Sequence, residues 1–210
     1  MDDRVGITLI RHGMTKENER SAYIGWSDSP LSENGRAEIE SCSKLWKNTL
    51  IEHVFSSDLV RCVDTANILF PHQPVQKVRN LREMNFGKWE GKTYEELKHI
   101  PAYRDWLDHM FVSGPDEGED FFTFSKRIKV AFEEVKNIML ANSLTDVAIV
   151  THGGVIRCLL SMLVNSNRTF FDWKTPYGSG YWLCWTKEQF RRGDMCTLLQ
   201  EVPITERRHG

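Results

Sequence analysis

The chain of 210 residues contains no Cys-x-x-Cys pair, and its five cysteines (Cys42, Cys62, Cys158, Cys184, Cys196) are odd in number and scattered. That pattern argues against a disulfide framework and fits the reduced thiols of the cytoplasm. No His-x-x-x-His spacing and no carboxylate-rich cluster is present, so no metal site is expected. Apolar runs stop well short of the ~20 residues of a membrane helix. Met1-Asp2-Asp3-Arg4 lacks the basic start and long apolar stretch of a signal peptide, so the expectation is a soluble, cytoplasmic protein with no membrane partner. An excess of one charge is missing too. The 27 Lys and Arg against 29 Asp and Glu leave a formal net charge of −2, which argues against a general grip on nucleic acid or anionic lipid. Without repeats, low-complexity tracts or linkers, residues 1–210 read as a single domain.

What is present alternates between strand and helix. Val5 to Ile10 is a short apolar, β-branched run that ends at Arg11-His12-Gly13, a buried strand entering a loop. Tyr23 to Asn34 is an extended surface loop. A helix opens at Ser32 and runs to about Leu50. His53 to Ser56 is a second strand, and Ser57 or Asp58 is placed to cap a helix ending near Phe70. Val75 to Arg79 reads as a third strand. Thr93 to Leu97 and Ala102 to Met110 read as short helices separated by Pro101, and Phe121 to Ala141 as a long one. Asp146 to Val150 is the clearest buried strand, ending at Thr151-His152-Gly153-Gly154, and Val155 to Val164 is an apolar helix. Gly178 to Trp185 and Met195 to Val202 close the chain as two strands joined by a turn at Arg191-Arg192-Gly193-Asp194. This order implies an α/β fold of three layers, a mostly parallel central sheet with helices on both faces.

Two loops share a design, since His12-Gly13 and His152-Gly153 each follow an apolar strand. Ligands of open α/β sheets bind beyond the carboxyl ends of the strands, which would bring both imidazoles to one crevice. The glycines allow close approach of the backbone, and the helix after Gly154 would aim its positive end at the same place, which suits phosphate. A single His-Gly is also an ordinary strand-exit turn; two, each with an arginine nearby, weaken that alternative. Arg61 falls in the first turn of its helix, where the macrodipole disfavours a cation. Either a bound anion explains it, gripped by paired hydrogen bonds, or it is a solvated surface arginine. Arg11 has the same two readings.

These residues carry a resemblance. Ile10-Arg11-His12-Gly13-Met14-Thr15 with Asn18, Tyr23 through Ser32 with Gly35, Ser56 through Arg61 with Thr65-Ala66, Leu81 through Leu97, and Thr151 through Arg157 resemble, in order, five blocks of the histidine phosphatase superfamily. The likeness covers residues from about 5 to 160. It implies a phosphoglycerate mutase-like fold with an inserted helical segment over the active site. It further implies that His12 attacks phosphorus and carries the phosphoryl group, that Arg11, Arg61 and His152 surround the phosphate, and that Thr15, Asn18 and Gly153 join the phosphate-binding set. Glu83 would protonate the leaving oxygen and then activate water, with Glu90 as the fallback acid. No metal or other cofactor is implied. Met14 departs from the pattern, where glutamate is common, and bears on leaving-group preference.

The resemblance is nearest the α-ribazole phosphatase and broad-specificity bacterial branch, which implies a phosphomonoesterase acting on a small phosphate ester. The short span between Glu83 and His152, and Gly154 where mutases carry asparagine, favour hydrolysis over a phosphoglycerate mutase-type transferase. A catalytically silent phosphate-binding module is the other alternative, and a nucleic-acid patch at Lys88, Lys92, Arg191 and Arg192 is interleaved with acids. Tyr103, Trp106, Phe111, Phe121 and Phe122, with Tyr23 and Trp26, either stack on a flat leaving group or belong to the core. His109 and His209 are given no role. The run Tyr181 to Trp185, if it were an exposed edge, could pair with a copy of itself in a homodimer.

Overall fold

The computed structural model describes residues 3–47 and 49–203; His209 lies outside them. The strands β1 (Arg4–Arg11), β2 (His53–Ser56), β3 (Val75–Lys77), β4 (Asp146–Thr151), β5 (Gly180–Thr186) and β6 (Leu198–Val202) form one sheet in the order β3-β2-β4-β1-β5-β6. β3, β2, β4 and β1 run parallel, and β5 is antiparallel to both of its neighbours. The helices are α1 (Lys16–Glu19), α2 (Glu33–Trp46), α3 (Val60–Leu69), α4 (Tyr94–Leu97), α5 (Pro101–Asp108), α6 (Phe121–Ala141), α7 (Gly153–Leu163) and α8 (Lys187–Arg192). The expected α/β architecture is the one adopted.

The central strands are buried on both faces, as a parallel sheet between helical layers requires. Side chains alternate with the pleat. Ile7 and Leu9 of β1, Phe55 of β2, and Val147 and Ile149 of β4 join one core with Phe124, Ile128 and Val135 of α6 and Val155 and Leu159 of α7. Their neighbours Ile10, Val54, Ala148 and Val150 face the opposite way, onto Ile39 and Trp46 of α2 and Cys62 and Ala66 of α3. A third, smaller core of Trp89, Leu97, Tyr103 and Trp106 holds α4 and α5 together, with Tyr23 and Phe86 packed against it.

Two local expectations are corrected. Neither Ser57 nor Asp58 caps α3, whose N-cap is Leu59 with no side-chain cap bond. Both polar residues have tertiary partners, Ser57 in His152 and Asp58 in Arg82; the Val60 N–H donates instead to Asp28 Oδ1 at 2.7 Å. The connection near Arg191 is not a bare turn, because Thr186 and Gln189 form a capping box that nucleates α8 and Gly193, at φ 79°, ends it. The aromatic run of β5 is not an exposed edge. Tyr181, Leu183 and Trp185 are buried, and β6 covers the strand. No helix among the described residues is long and apolar enough to cross a membrane.

The connection from β1 to β2 passes over β4, and the one from β4 to β5 passes over β1. The two leave in opposite directions, and a crevice opens where they part, beyond the carboxyl ends of β1 and β4.

Candidate active site

Adjacent parallel strands in register put their following residues side by side. Arg11 pairs with Thr151 across β1 and β4, so His12 and His152 leave the sheet at the same level, their ring centroids 5.0 Å apart. Both are buried. His12 Nδ1 lies 2.6 Å from the carbonyl of its neighbour Gly13. A carbonyl only accepts, so Nδ1 carries the hydrogen and Nε2 keeps its lone pair. Burial, then the charges of Arg61 and Arg11, hold the His12 imidazole well below its ordinary pKa. His152 is lowered in the same way by burial, then by Arg61 and His12. His152 Nε2 contacts Ser57 Oγ at 3.0 Å and Cys62 Sγ at 3.4 Å; burial pushes the Cys62 thiol up to about 12, so it stays protonated.

Two guanidiniums flank this pair without a carboxylate. Arg61 is fully buried, which removes the solvated-surface reading. It donates to the carbonyls of Ser27 at 2.8 Å and Gly25 at 2.6 Å, and its Nε has no partner. Arg11 donates to the Thr175 carbonyl at 2.7 Å, lies 3.9 Å from the centre of the Tyr177 ring, and also leaves its Nε unpaired. Burial lowers the pKa of both. Buried cations are ordinarily paired; here carbonyl dipoles hold the buried Arg61 and the partly buried Arg11 in place and leave their charge for an incoming anion.

Glu83 sits at the start of α7. Its Oε2 accepts from the Gly154 N–H at 2.8 Å and its Oε1 from the Met84 N–H at 3.0 Å. No side chain would fit at 154 with the carboxylate where it is, because a Cβ there would lie 2.4 Å from Oε1. The segment carrying Glu83 is fastened from below. Arg127 donates to the carbonyls of Asn80, Arg82 and Glu83 and forms a buried ion pair with Glu119 at 2.6 Å. Arg82 is committed to Asp58 through two 2.7 Å bonds, not to Glu83.

Of the other expected phosphate ligands, Gly153 opens α7 at the crevice, close to Arg11 and Thr175. Thr15 and Asn18 cap α1 reciprocally. The Thr15 hydroxyl is taken up by that box, whereas the Asn18 side-chain NH₂ makes no hydrogen bond among the described residues. Glu90, the fallback acid, has a different task. Its carboxylate accepts from the N–H groups of Gly25, Trp26, Ser27 and Phe86 and so shapes the loop whose carbonyls hold Arg61. The site also recruits residues that were given no role from the sequence. Thr65 Oγ1 accepts from the Gly13 N–H at 2.9 Å, and Tyr177 lies 6.0 Å from His12 between centroids. Ser57 and Thr65 lay inside a recognised block, but Tyr177 and Thr175 come from a loop without any sequence signal.

Beside Glu83 and Gly154 a cavity of about 200 Å³ opens, walled by Tyr23, Trp106, Phe121, Phe170 and Phe171 and reached by Arg157. The aromatic residues of the inserted segment therefore divide. Trp106 and Phe121 face this cavity, Tyr103 is core and bonds Tyr23 through its hydroxyl at 2.7 Å, and Phe111 and Phe122 are exposed. Trp26 donates its indole N–H to the Glu83 carbonyl. Among the described residues no group of three or more His, Cys, Asp or Glu is placed to hold a metal ion. Of the basic residues weighed for a nucleic-acid patch, Lys88 pairs with Asp116 and Glu117 and Arg192 with Glu188 and Asp194.

A neutral imidazole with a free lone pair, facing acid-free arginines in a crevice of a parallel sheet, is the equipment of proteins that pass phosphoryl groups through histidine. Residues 7–195 match the histidine phosphatase superfamily (branch 1), and the chain belongs to that family. It is 30% identical to the adenosylcobalamin/alpha-ribazole phosphatase of Escherichia coli strain K12, over 74% of this chain and 77% of that protein. It is 32% identical to phosphoglycerate mutase-like protein 4 of Arabidopsis thaliana, over 75% of this chain and 70% of the relative. Among solved structures, the alpha-ribazole phosphatase from Shigella flexneri superposes with a TM-score of 0.75 at 26% identity, covering 85% of this chain and 89% of that one.

Proposed function

We propose that this chain is a metal-independent phosphomonoesterase that hydrolyses small phosphate esters with a flat, apolar leaving group, through a phosphohistidine on His12. The observation that carries the reading is the pairing of His12 and His152 at 5.0 Å with the buried Arg61 and the partly buried Arg11, neither ion-paired to a carboxylate among the described residues. His12 Nε2 attacks phosphorus in line, the ester P–O bond breaks, and Glu83 in its acid form protonates the departing oxygen. Arg11, Arg61 and His152 hold the equatorial oxygens, with the Asn18 amide and the N-terminus of α7 adding donors. Water then attacks the phosphohistidine while the Glu83 carboxylate takes its proton, which releases phosphate and frees His12. The arginines supply the positive charge that a metal ion supplies elsewhere.

The aromatic walls beside Glu83 support an aromatic or otherwise apolar leaving group, and Arg157 can donate to a polar acceptor on it. Relatives that carry the name alpha-ribazole phosphatase support α-ribazole 5′-phosphate as the natural substrate within this class. The five free cysteines support a cytoplasmic setting, and the paired basic residues support a small-molecule substrate over nucleic acid. The test is hydrolysis of p-nitrophenyl phosphate with and without EDTA, for wild type and His12→Ala. Turnover indifferent to EDTA and lost in the variant is expected. Turnover that survives His12→Ala, or that EDTA abolishes, would overturn the mechanism. Preference for glucose 6-phosphate over naphthyl phosphate would overturn the leaving-group class alone.

A further inference from the structure

A second cavity, about 550 Å³ in volume, lies between α6 and α8, and no part of the mechanism uses it. Its size falls within the usual ~300–1,000 Å³ of small-molecule sites. One stripe of α6 forms a wall: Phe122, Lys126, Lys129, Phe132, Glu133 and Lys136 recur at spacings of three and four and so share a helix face. Trp185, Phe190, Met162 and Leu163 supply an apolar wall opposite.

The unusual member is Lys136. The residue as a whole is only 8% exposed, its ammonium opens on the cavity, and it makes no hydrogen bond and no ion pair with any described residue. The contact available to it is the Phe190 ring, 5.9 Å from Nζ, a modest cation–π attraction. The acids on the walls do not serve it. Asp194 is held by Arg192 at 2.7 and 3.0 Å, and Glu133, one turn earlier on α6, forms no ion pair with Lys136. Lys126 and Lys129 add two further positive charges along the same stripe. Three ammonium groups on one stripe suit an anion, and the walls suit an apolar body attached to it.

We infer that this cavity binds a small amphipathic carboxylate, its carboxylate on Lys136 and its apolar body between Phe132, Phe190 and Trp185. The site is separate from the catalytic crevice and independent of the substrate assigned above.

The experiment is isothermal titration of the full chain with 2-naphthoate and with the neutral 2-naphthalenemethanol, for wild type, Lys136→Met and Lys136→Gln. The expected result is one-to-one binding of naphthoate to wild type, weakened about tenfold or more in both variants, as loss of a charged hydrogen bond implies. The alcohol should bind wild type weakly, and both variants should keep full p-nitrophenyl phosphate turnover. No binding to wild type, undiminished binding in the variants, or equal affinity for the alcohol would each overturn the proposal. Undiminished binding is also the outcome if naphthoate merely occupies the catalytic arginines. A mutation-free arm guards against misfolded variants: irradiated 4-benzoylbenzoate should label segments 122–136 or 185–194, and labelling confined to other segments would overturn the assignment.

Discussion

Replacing Gly154 with alanine should move one carboxylate and little else. A Cβ at 154 would stand 2.4 Å from Glu83 Oε1, 3.1 Å from its Cδ and 3.2 Å from Oε2. Carbon contacts settle near ~3.5 Å, so the carboxylate must withdraw by about 1 Å and give up its bond to the Gly154 N–H. A displacement of that size at a reacting group can cost about a hundredfold in rate, within the range of ~10²–10⁴ that general acid catalysis contributes. The fold should tolerate the change, because the obstacle is the free end of a flexible side chain and position 154 has no left-handed backbone to strain. Alanine within a helix is itself favoured over glycine by roughly 0.5–1 kcal/mol. The assay is phosphate release from phenyl phosphate and from p-nitrophenyl phosphate, read as kcat/KM, which reports the step that phosphorylates His12. Phenolate needs a proton to leave and p-nitrophenolate scarcely does. The expected loss is therefore about a hundredfold for the first and under about tenfold for the second, with Tm unchanged or slightly raised. An undiminished rate with phenyl phosphate would refute Glu83 as the acid. Equal losses on both substrates with a lowered Tm would mean that the substitution had damaged the pocket.

Arg61→Lys keeps the charge but loses the fork that spans the Ser27 and Gly25 carbonyls; kcat/KM should fall by about 10²–10³, and near-wild-type kinetics would deny Arg61 a role at the phosphate. His12 and His152 have pKa values lowered in the fold, so they bind fewer protons folded than unfolded. Stability should then fall as pH drops below ~6.5 toward the folded pKa values, and be unaffected by these groups above it. Urea unfolding at pH ~7.5 and ~5.5 checks the slope against His12→Asn, which should lose less; an NMR titration of His12 centred at or above ~6.5 would contradict the burial argument. Glu90→Gln replaces one acceptor oxygen of a carboxylate that receives N–H groups from Gly25, Trp26, Ser27 and Phe86. It should cost about 1–3 kcal/mol in chemical denaturation, and an unchanged midpoint would remove Glu90 from the loop's support.

Strand and helix order were legible in the chain because hydrophobic periodicity is a local property. Val5 to Ile10 and Asp146 to Val150 read as buried strands, and Phe121 to Ala141 spans α6 from end to end. The same locality explains the misses. Ser57 and Asp58 look like helix caps to anyone reading along the chain, but a cap is decided by which partner wins. His152 and Arg82, 95 and 24 positions away, took those side chains. Whether the aromatic run 181–185 formed an edge stayed open, because two successive strand patterns do not say which of them is covered; β6 covers it.

The histidines and the two arginines were identifiable because each ends or follows a strand or opens a helix at a place where chemistry can be exposed, and Glu83 through its place in a family block. Their physical state was not. That His12 presents Nε2 depends on the Gly13 carbonyl at 2.6 Å, and that Arg61 is available to an anion depends on its side chain donating only to carbonyls among the described residues. Sequence by itself determined which side chains end the strands of this sheet, because that follows from short-range pattern. Only the tertiary structure decided how those side chains are charged, paired and aimed, because burial and partnership are set by segments that meet only when the sheet closes.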